Sequence, residues 1–193
     1  LKWNFERDRT VAVSVDSQPI KMLRYTAKKY SVAVSFGYYE LCGEAIYSSY
    51  MFIGKNGEIV NNFRRVSKGW KEYDITDEHY KEGDGFKTFT YMGKRIALAV
   101  CGDLWYEENI EQINKEKFDF LLYPVYVTYN TEMWRTKLVN EYAEQAKKIP
   151  RPVFLVNSIC DADNTRGGCY AFLNGKTVCE VPMGQDGYLL VRV

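Results

Sequence analysis

Cys101 is the residue of this sequence best placed to carry out chemistry. It follows the apolar run Ile96 to Val100, which is typical of a buried strand, and Gly102 breaks that strand directly after the sulfur. A cysteine at a strand-to-helix turn is held rigidly, and nearby N–H groups can stabilise a thiolate and a developing oxyanion. Asp103 is expected to cap the helix that begins near Tyr106. The position predicts a cysteine nucleophile, and a cysteine that only fills the core is the alternative.

His79 is the single histidine of the sequence. A metal site with several histidines is therefore excluded within one chain, and any Cys–His or Ser–His arrangement must use His79. Its surroundings, residues 76–82, are polar and typical of a surface histidine. A thiol hydrolase that uses Cys101 and His79 remains a weaker interpretation.

The cysteines predict a reducing, cytosolic setting. Their number is odd and no Cys-x-x-Cys occurs, which argues against a disulfide framework and against a structural zinc site. The five positions are Cys42, Cys101, Cys160, Cys169 and Cys179.

Length and charge predict a single domain without a nucleic-acid or membrane partner. A chain of 193 residues can bury a substantial core, and a formal net charge of +1 gives no indication of a nucleic-acid or membrane-surface partner. No apolar run approaches transmembrane length, and no signal peptide opens the chain. Because the first residue is Leu1, we expect one domain over residues 1–193 that is incomplete at its N-terminus.

Hydrophobic periodicity and turn residues predict alternating hairpins and strand–helix–strand units, and hence a layered α/β fold with mixed sheets. The helices are expected at 16–30, 106–116 and 131–149. The strands are expected at 31–39, 45–53, 58–65, 86–91, 94–101, 118–124, 153–159, 169–173, 177–181 and 188–193. The segment 67–85 is long and polar, and a connection of that length is usually functional.

Three segments stand in an order that resembles the nitrilase superfamily of carbon–nitrogen hydrolases. They are the stretch from Ala45 to Arg65 around a Lys-Asn-Gly turn, the loop ending in Glu82-Gly-Asp-Gly-Phe86, and the strand ending in Cys101-Gly-Asp103. Later segments at 121–124, 134–146 and 153–157 resemble the same family. The resemblance covers nearly the whole chain and implies a four-layer α-β-β-α sandwich, no metal or organic cofactor, and a homodimer or higher homo-oligomer.

The resemblance also implies a Cys–Glu–Lys triad in which Cys101 is the nucleophile. The lysine position of the family falls on Arg65, and Lys68 lies three residues further on. Arginine keeps the charge that an oxyanion needs, but it cannot pass on a proton. An exposed charge at the end of a strand is the alternative for Arg65. The N–H of Gly102, directly after the cysteine, is expected to bind the substrate oxyanion.

The two glutamates of the family have less definite matches in this sequence. The second glutamate of the family matches Glu78 best, with Glu72 and Glu82 as rivals, and each is equally a solvated carboxylate of the loop. The general-base glutamate of the family precedes its first helix. Neither Glu6 nor Glu40 matches that position, so we expect the base upstream of the first residue.

These features predict hydrolysis of a non-peptide C–N bond in a small amide, through a cysteine acyl-enzyme, and a nitrile is the less favoured substrate. The loops at 66–85, 126–133 and 160–168 are expected to shape the pocket, with Tyr126, Tyr129 and Trp134 as walls or, alternatively, as core or interface residues. The competing interpretation is a nitrilase-like interaction or regulatory module that has lost the catalytic lysine.

Overall fold

The computed structural model describes residues 3–72, 74–161 and 164–193 of the chain. Parts of two predicted loops, at position 73 and at 162–163, lie outside these ranges. The chain divides into two compact units, of which the first ends at Gly85 and the second begins at Phe86. The expectation of a single domain stays a prediction.

The first unit is built on a small sheet with β2 at its centre. Its helices are α1 (Phe5–Asp8) and α2 (Gln18–Tyr30), and its strands are β1 (Val34–Cys42), β2 (Ala45–Ile53), β3 (Ile59–Arg64) and β4 (Tyr80–Lys81). β2 pairs antiparallel with β1 along its whole length and with β3 from Ser49 onward. β4 pairs parallel with Ile46 and Tyr47, near the start of β2. The loop after β3 therefore returns to the sheet at the start of β2.

Helix α2 covers one face of this sheet because its apolar residues recur at helical spacing. A proline in the first turn suits its start, and it ends at Ser31, whose φ of 54° lies in the left-handed region. Ile20 and Ala27 are buried and pack with Met51 and Ile53 of β2. Burial of this apolar stripe holds the helix on the sheet.

The second unit contains a six-stranded mixed sheet. The strands of the whole unit are β5 (Phe89–Tyr91), β6 (Lys94–Leu98), β7 (Phe120–Val125), β8 (Val153–Asn157), β9 (Ile159–Cys160), β10 (Thr165–Arg166), β11 (Cys169–Leu173) and β12 (Lys176–Val181). The order in the sheet is β12-β11-β8-β7-β6-β5, and β9 and β10 form a separate pair. β6, β7 and β8 run parallel, whereas the outer pairs are antiparallel. The predicted mixed character of the sheet is confirmed.

Helices connect the parallel strands of this unit. They are a 3₁₀ helix (Cys101–Trp105), α3 (Glu107–Lys115), α4 (Thr131–Met133), a π-helical turn (Trp134–Leu138) and α5 (Val139–Lys147). The main core includes Leu121, Tyr123 and Val125, which alternate along β7, together with Ile113 of α3 and Ala146 of α5. This alternation directs one face of β7 toward the helices.

The predicted helix at 131–149 is interrupted. Residues 134–138 form a π-helical turn between α4 and α5, and the last helical residue is Lys147. Such turns insert one residue into a helix, and hydrophobic spacing alone does not reveal them.

Pro124 does not end its strand, contrary to the prediction. It lies inside β7, opposite Val156 of β8. The N–H of Leu121 donates toward β8. Because backbone donors alternate between the two sides of a strand, the nitrogen at position 124 faces β6 instead. The pairing of β6 with β7 ends at Leu98, before it reaches that position. The proline therefore removes no donor that a neighbouring strand needs.

The predicted strand at 188–193 is absent, and this prediction was wrong. Residues 185–193 form no strand, and the side chains of Tyr188 and Leu190 are 81% and 85% exposed. A β-forming composition does not make a strand without a neighbouring strand to pair with. β12, at the edge of the sheet, pairs only with β11 and not with this segment. The tail instead places Val191 and Val193 beside a groove that Phe120 and Phe154 also line.

Candidate active site

Cys101 lies at a sharp turn between the sheet and a 3₁₀ helix. β6 ends at Leu98, and Cys101 begins the helix with a φ of 48°, in the left-handed region. A residue with a Cβ pays about 1–2 kcal/mol for that conformation. The residue is half-buried and packs against the main core of the second unit. The strand-to-helix position predicted for Cys101 is confirmed, although the regular strand ends three residues earlier than expected.

Hydrogen bonds hold this turn from both sides. The hydroxyl of Tyr123, on β7, donates to the carbonyl oxygen of Cys101 at 2.6 Å. The N–H of Val100 donates to Oδ2 of Asp103 at 2.8 Å, and Nδ2 of Asn109 donates to the carbonyl oxygen of Asp103 at 3.1 Å. The contacts compensate for the unfavourable backbone conformation at Cys101.

Asp103 does not cap the helix for which it was predicted. Helix α3 begins after Tyr106, and no side chain caps it. The buried carboxylate of Asp103 instead accepts from the backbone of Val100 and closes the turn around the cysteine. The prediction was wrong because a 3₁₀ helix separates the cysteine from α3.

In the first unit, the two predicted cations differ in their surroundings. Arg65 is buried, and its Nε donates to Oγ of Ser67 at 2.8 Å while its Nη2 reaches the carbonyl oxygen of Lys68 at 3.4 Å. Lys68 itself is exposed. The structure thus brings Arg65 and the Lys68 backbone together, and it does not support the alternative of an exposed strand-end charge for Arg65.

The three candidate glutamates of the loop also differ. Glu78 and Glu72 are exposed. Glu82 is largely buried; it accepts from Nε1 of Trp70 at 3.1 Å and forms an ion pair with Lys71 at 3.4 Å. Glu82 therefore has the more fixed carboxylate, whereas the preferred match was Glu78. The role of either one stays a prediction.

His79 is engaged within the first unit. Its Nδ1 lies 2.8 Å from Oδ1 of Asp77, and its ring stacks on Phe5 with a centroid distance of 3.9 Å. Next to this contact, Tyr80 donates to Asp8 at 2.7 Å and its ring contacts Trp3. The N-terminal segment is thereby packed against the loop that carries the candidate site residues.

The strand before this loop is fixed by a partly buried ion pair that the sequence analysis did not anticipate. Arg64 donates from Nε and Nη2 to the two oxygens of Glu40 at 2.9 and 2.7 Å, and Ser49 donates to the same carboxylate at 2.7 Å. Burial opposes ionisation of Glu40, but these hydrogen bonds outweigh it and lower the pKa of the carboxyl. Arg64 also lies over the ring of Tyr47, 3.8 Å from its centroid.

Of the three predicted wall residues, Tyr126 and Tyr129 are exposed and Trp134 is buried. Tyr126 is 47% exposed, just after β7. Trp134 is a core residue whose Nε1 donates to the hydroxyl of Tyr170 at 2.8 Å, and it stacks with Tyr129. Trp134 therefore has the core position that was weighed as an alternative. Its part in substrate binding, like that of Gly102 beside Cys101, is untested.

Within the described ranges, no group of three or more His, Cys, Asp or Glu side chains is arranged to hold a metal ion. None of the described helices combines the length and the apolar character that crossing a membrane requires. All five cysteines are free.

The residues that sequence reasoning missed, above all Tyr123 and Asn109, act through backbone atoms of the cysteine turn. Tyr123 lies 22 positions after Cys101 and Asn109 six positions after Asp103. In the sequence, the only indication of a role for Tyr123 is a hydroxyl on the core-facing side of an apolar strand. Such a buried group requires a partner.

Comparisons with known proteins agree on one family. Residues 3–193 match the carbon-nitrogen hydrolase family. A citrullinase of Francisella tularensis subsp. tularensis is 26% identical over 120 residues, which cover 59% of this chain and 41% of the citrullinase. A bromoxynil-specific nitrilase of Klebsiella pneumoniae subsp. ozaenae is 30% identical over 107 residues, or 55% of this chain and 29% of the nitrilase.

Solved structures share the fold. A carbon-nitrogen hydrolase from Helicobacter pylori has a TM-score of 0.69 at 16% identity and covers 86% of this chain, which spans 63% of that protein. A variant amidase from Nesterenkonia sp., which carries the acetamide moiety of fluoroacetamide on its active-site cysteine, has a TM-score of 0.68 at 15% identity. It covers 85% of this chain, which spans 62% of the amidase. The likeness confirms the predicted α/β fold class of the nitrilase type. The chain spans less than half the length of the two curated relatives.

Proposed function

Because this chain belongs to the carbon–nitrogen hydrolase family, we propose that it hydrolyses a non-peptide C–N bond in a small amide through an acyl-enzyme on Cys101. The observation that carries the proposal is the half-buried cysteine at a turn fixed by Tyr123 and Asp103. A nucleophile must be held while its substrate is bound, and a turn with a left-handed residue and buried hydrogen bonds provides that rigidity.

In the proposed reaction, each chemical role falls to one or two groups. The Cys101 thiolate attacks the amide carbon, and the N–H of Gly102 donates to the oxygen on which charge develops. Arg65 supplies the positive charge of the site, with Lys68 as the alternative cation, and the carboxylate of Glu78 completes the proposed set. Because arginine does not release its proton, proton transfer to the leaving amine falls to a carboxylic acid and to water.

The amide class is supported by the Nesterenkonia amidase, while the citrullinase and the nitrilase mark neighbouring chemistries. A homodimer or higher homo-oligomer and a cytoplasmic location remain predictions. Light scattering during gel filtration measures the first, and fractionation of the source cells measures the second.

The proposal is tested by acyl transfer and by ammonia release. The protein is incubated with a series of small amides, ammonia is measured, and the acyl adduct is located by mass spectrometry. Cys101→Ala should abolish both, whereas Cys179→Ala, which alters another half-buried cysteine on β12, should leave both unchanged. Full activity in Cys101→Ala would refute the proposal.

A non-catalytic module is the second candidate, and the environment of Arg65 favours it. The resemblance matches Arg65 to the family's lysine, and its guanidinium is already hydrogen-bonded to Ser67 and to the Lys68 carbonyl within its own loop. This candidate predicts no acyl adduct on Cys101 from any amide of the series. It also predicts that Arg65→Lys creates an activity that the unchanged chain lacks.

A further inference from the structure

Tyr123 contacts the peptide group that directly follows the candidate nucleophile. Its side chain is fully buried on β7, and its hydroxyl donates to the carbonyl oxygen of Cys101 at 2.6 Å. That carbonyl belongs to the peptide group that joins Cys101 to Gly102. The tyrosine therefore holds the peptide plane directly after the sulfur.

The geometry of a peptide makes this contact directional. In a trans peptide the carbonyl oxygen and the following N–H point in opposite directions, and the described residues contain no cis peptide. Fixing the oxygen of Cys101 against Tyr123 thus fixes the N–H of Gly102 on the opposite side of the plane. A donor to the carbonyl also polarises the peptide and strengthens its N–H as a donor.

We infer that Tyr123 is a positioning residue for the oxyanion donor of this site, acting through the Cys101–Gly102 peptide. The inference rests on the proposed function, because it gives the Gly102 N–H the oxyanion of an acyl transfer to Cys101. Tyr123 itself does not touch the substrate. It orients and polarises the group that does.

Two further observations agree with a permanent role for this hydrogen bond. Burial raises the pKa of Tyr123 well above its ordinary value, so the hydroxyl stays protonated and donates throughout the neutral range. Cys101 needs such support because its φ of 48° is unfavourable for a residue with a side chain. A buried hydroxyl with a partner at 2.6 Å has little freedom to turn away.

The inference separates two reactions of the same thiol. With p-nitrophenyl acetate, the Cys101 sulfur bonds to the acetyl carbon, the ester C–O bond breaks and p-nitrophenolate leaves, after a tetrahedral oxyanion has formed. The thiol proton passes to solvent. With iodoacetamide, the sulfur displaces iodide from a CH₂ carbon and no oxyanion forms. Only the first reaction uses the Gly102 N–H.

The experiment compares both rates at Cys101 in the wild-type protein and in Tyr123→Phe, with each adduct assigned by peptide mass. Acylation should fall about tenfold in the variant, because a misplaced oxyanion donor costs less than the 10²–10³ of a deleted one. Alkylation should stay within about twofold of wild type. Tyr50→Phe is the matched control, since it removes a buried hydroxyl that pairs with Ser35, and it should change neither rate.

Each other outcome counts against the inference. Equal changes in acylation and alkylation would make Tyr123 a packing residue only, and unchanged rates would leave it without a role. If Tyr123→Phe fails to fold, 3-fluorotyrosine at position 123 replaces it: this stronger donor should raise the ratio of acylation to alkylation, and a lower ratio would overturn the inference. If wild-type acyl groups never reach Cys101, the proposed function fails and this inference fails with it.

Discussion

The ion pair between Glu40 and Arg64 gives the sharpest stability prediction for the first unit. Glu40→Gln keeps the size of the side chain but removes the charge that accepts two hydrogen bonds from Arg64 and one from Ser49. The Glu40 side chain is only 3% exposed, whereas that of Arg64 is 31% exposed. Removing one partner of a fully buried pair costs about 3–5 kcal/mol. Because water still reaches Arg64, we expect a loss of about 2–3 kcal/mol at neutral pH.

The loss should depend on pH with a definite sign. The carboxyl pKa of Glu40 is lowered in the folded protein, so its ionisation stabilises the fold at every pH above the unfolded pKa of about 4.3. That contribution is lost as the pH falls through the lower, folded pKa. The difference between wild type and Glu40→Gln should therefore be complete at neutral pH and shrink at about pH 3.

Native-state hydrogen exchange of β1 and β2 measures this difference where the pair lies. The opening free energy of amides at 34–53 is compared at both pH values, since exchange reports each region separately. Glu6→Gln is the control, because the Glu6 carboxylate and its partner Arg9 are both at least half exposed and the pair is worth little. A loss below about 0.5 kcal/mol, or an equal loss at both pH values, would refute the reasoning.

Three further predictions concern the cysteine turn, the cation of the loop and a buried amide. Brief treatment with limiting iodoacetamide should label Cys101 before the other four thiols, and peptide mass mapping that finds another cysteine first would contradict this. For amide hydrolysis, Arg65→Met should lower kcat at least tenfold while Arg65→Lys retains activity, whereas equal rates in both would exclude a charge role for this position. Asn157 accepts from the N–H of Val127 and donates to the carbonyls of Val127 and Gly167, so Asn157→Ala should cost about 2–4 kcal/mol in urea unfolding. Asn114→Ala, which removes one exposed contact to Lys148, should cost less than about 1 kcal/mol, and a similar loss in both variants would contradict the assignment.

Local chemistry explains why much of the first unit was predictable. The strand Ala45–Ile53 was predicted with the bounds that the structure has, and its hairpin with β3 follows from the Asn56-Gly57 turn. Helix α2 combines a proline in its first turn with an apolar stripe, of which Ile20 and Ala27 are buried while Leu23 and Tyr30 are exposed. In each case the signal lies within a few residues of the element that it specifies.

The elements that escaped prediction depend on partners far along the chain. β4 is two residues long and exists because the polar loop returns to the start of β2. Pro124 stays in β7 because β6 ends before reaching it, which only the sheet order reveals. The 188–193 segment has a strand-like composition but pairs with no strand in the described structure. Sequence periodicity carries no information about such partners.

At the candidate site, too, the reacting residues were predictable from the sequence, whereas the residues that hold them in place were not. Cysteine, arginine and glutamate could be proposed from type and order, but the groups that fix them could not. Gly83 illustrates this for the loop after β3: its N–H donates to the carbonyl of Arg65 at 2.8 Å, and a Cβ at position 83 would meet the carbonyl oxygen of Arg64 at 2.3 Å.

No side chain larger than hydrogen fits Gly83 without displacing the end of β3, where Arg65 begins the loop. The Glu40–Arg64 ion pair and the close approach of Gly83 to Arg64 therefore both fix the residue directly before this cation. The hydroxyl of Tyr123 fixes the backbone beside Cys101 in an equivalent way. In both units the side chain proposed for chemistry is attached to a peptide that other residues hold, which is the arrangement that preorganised catalysis requires.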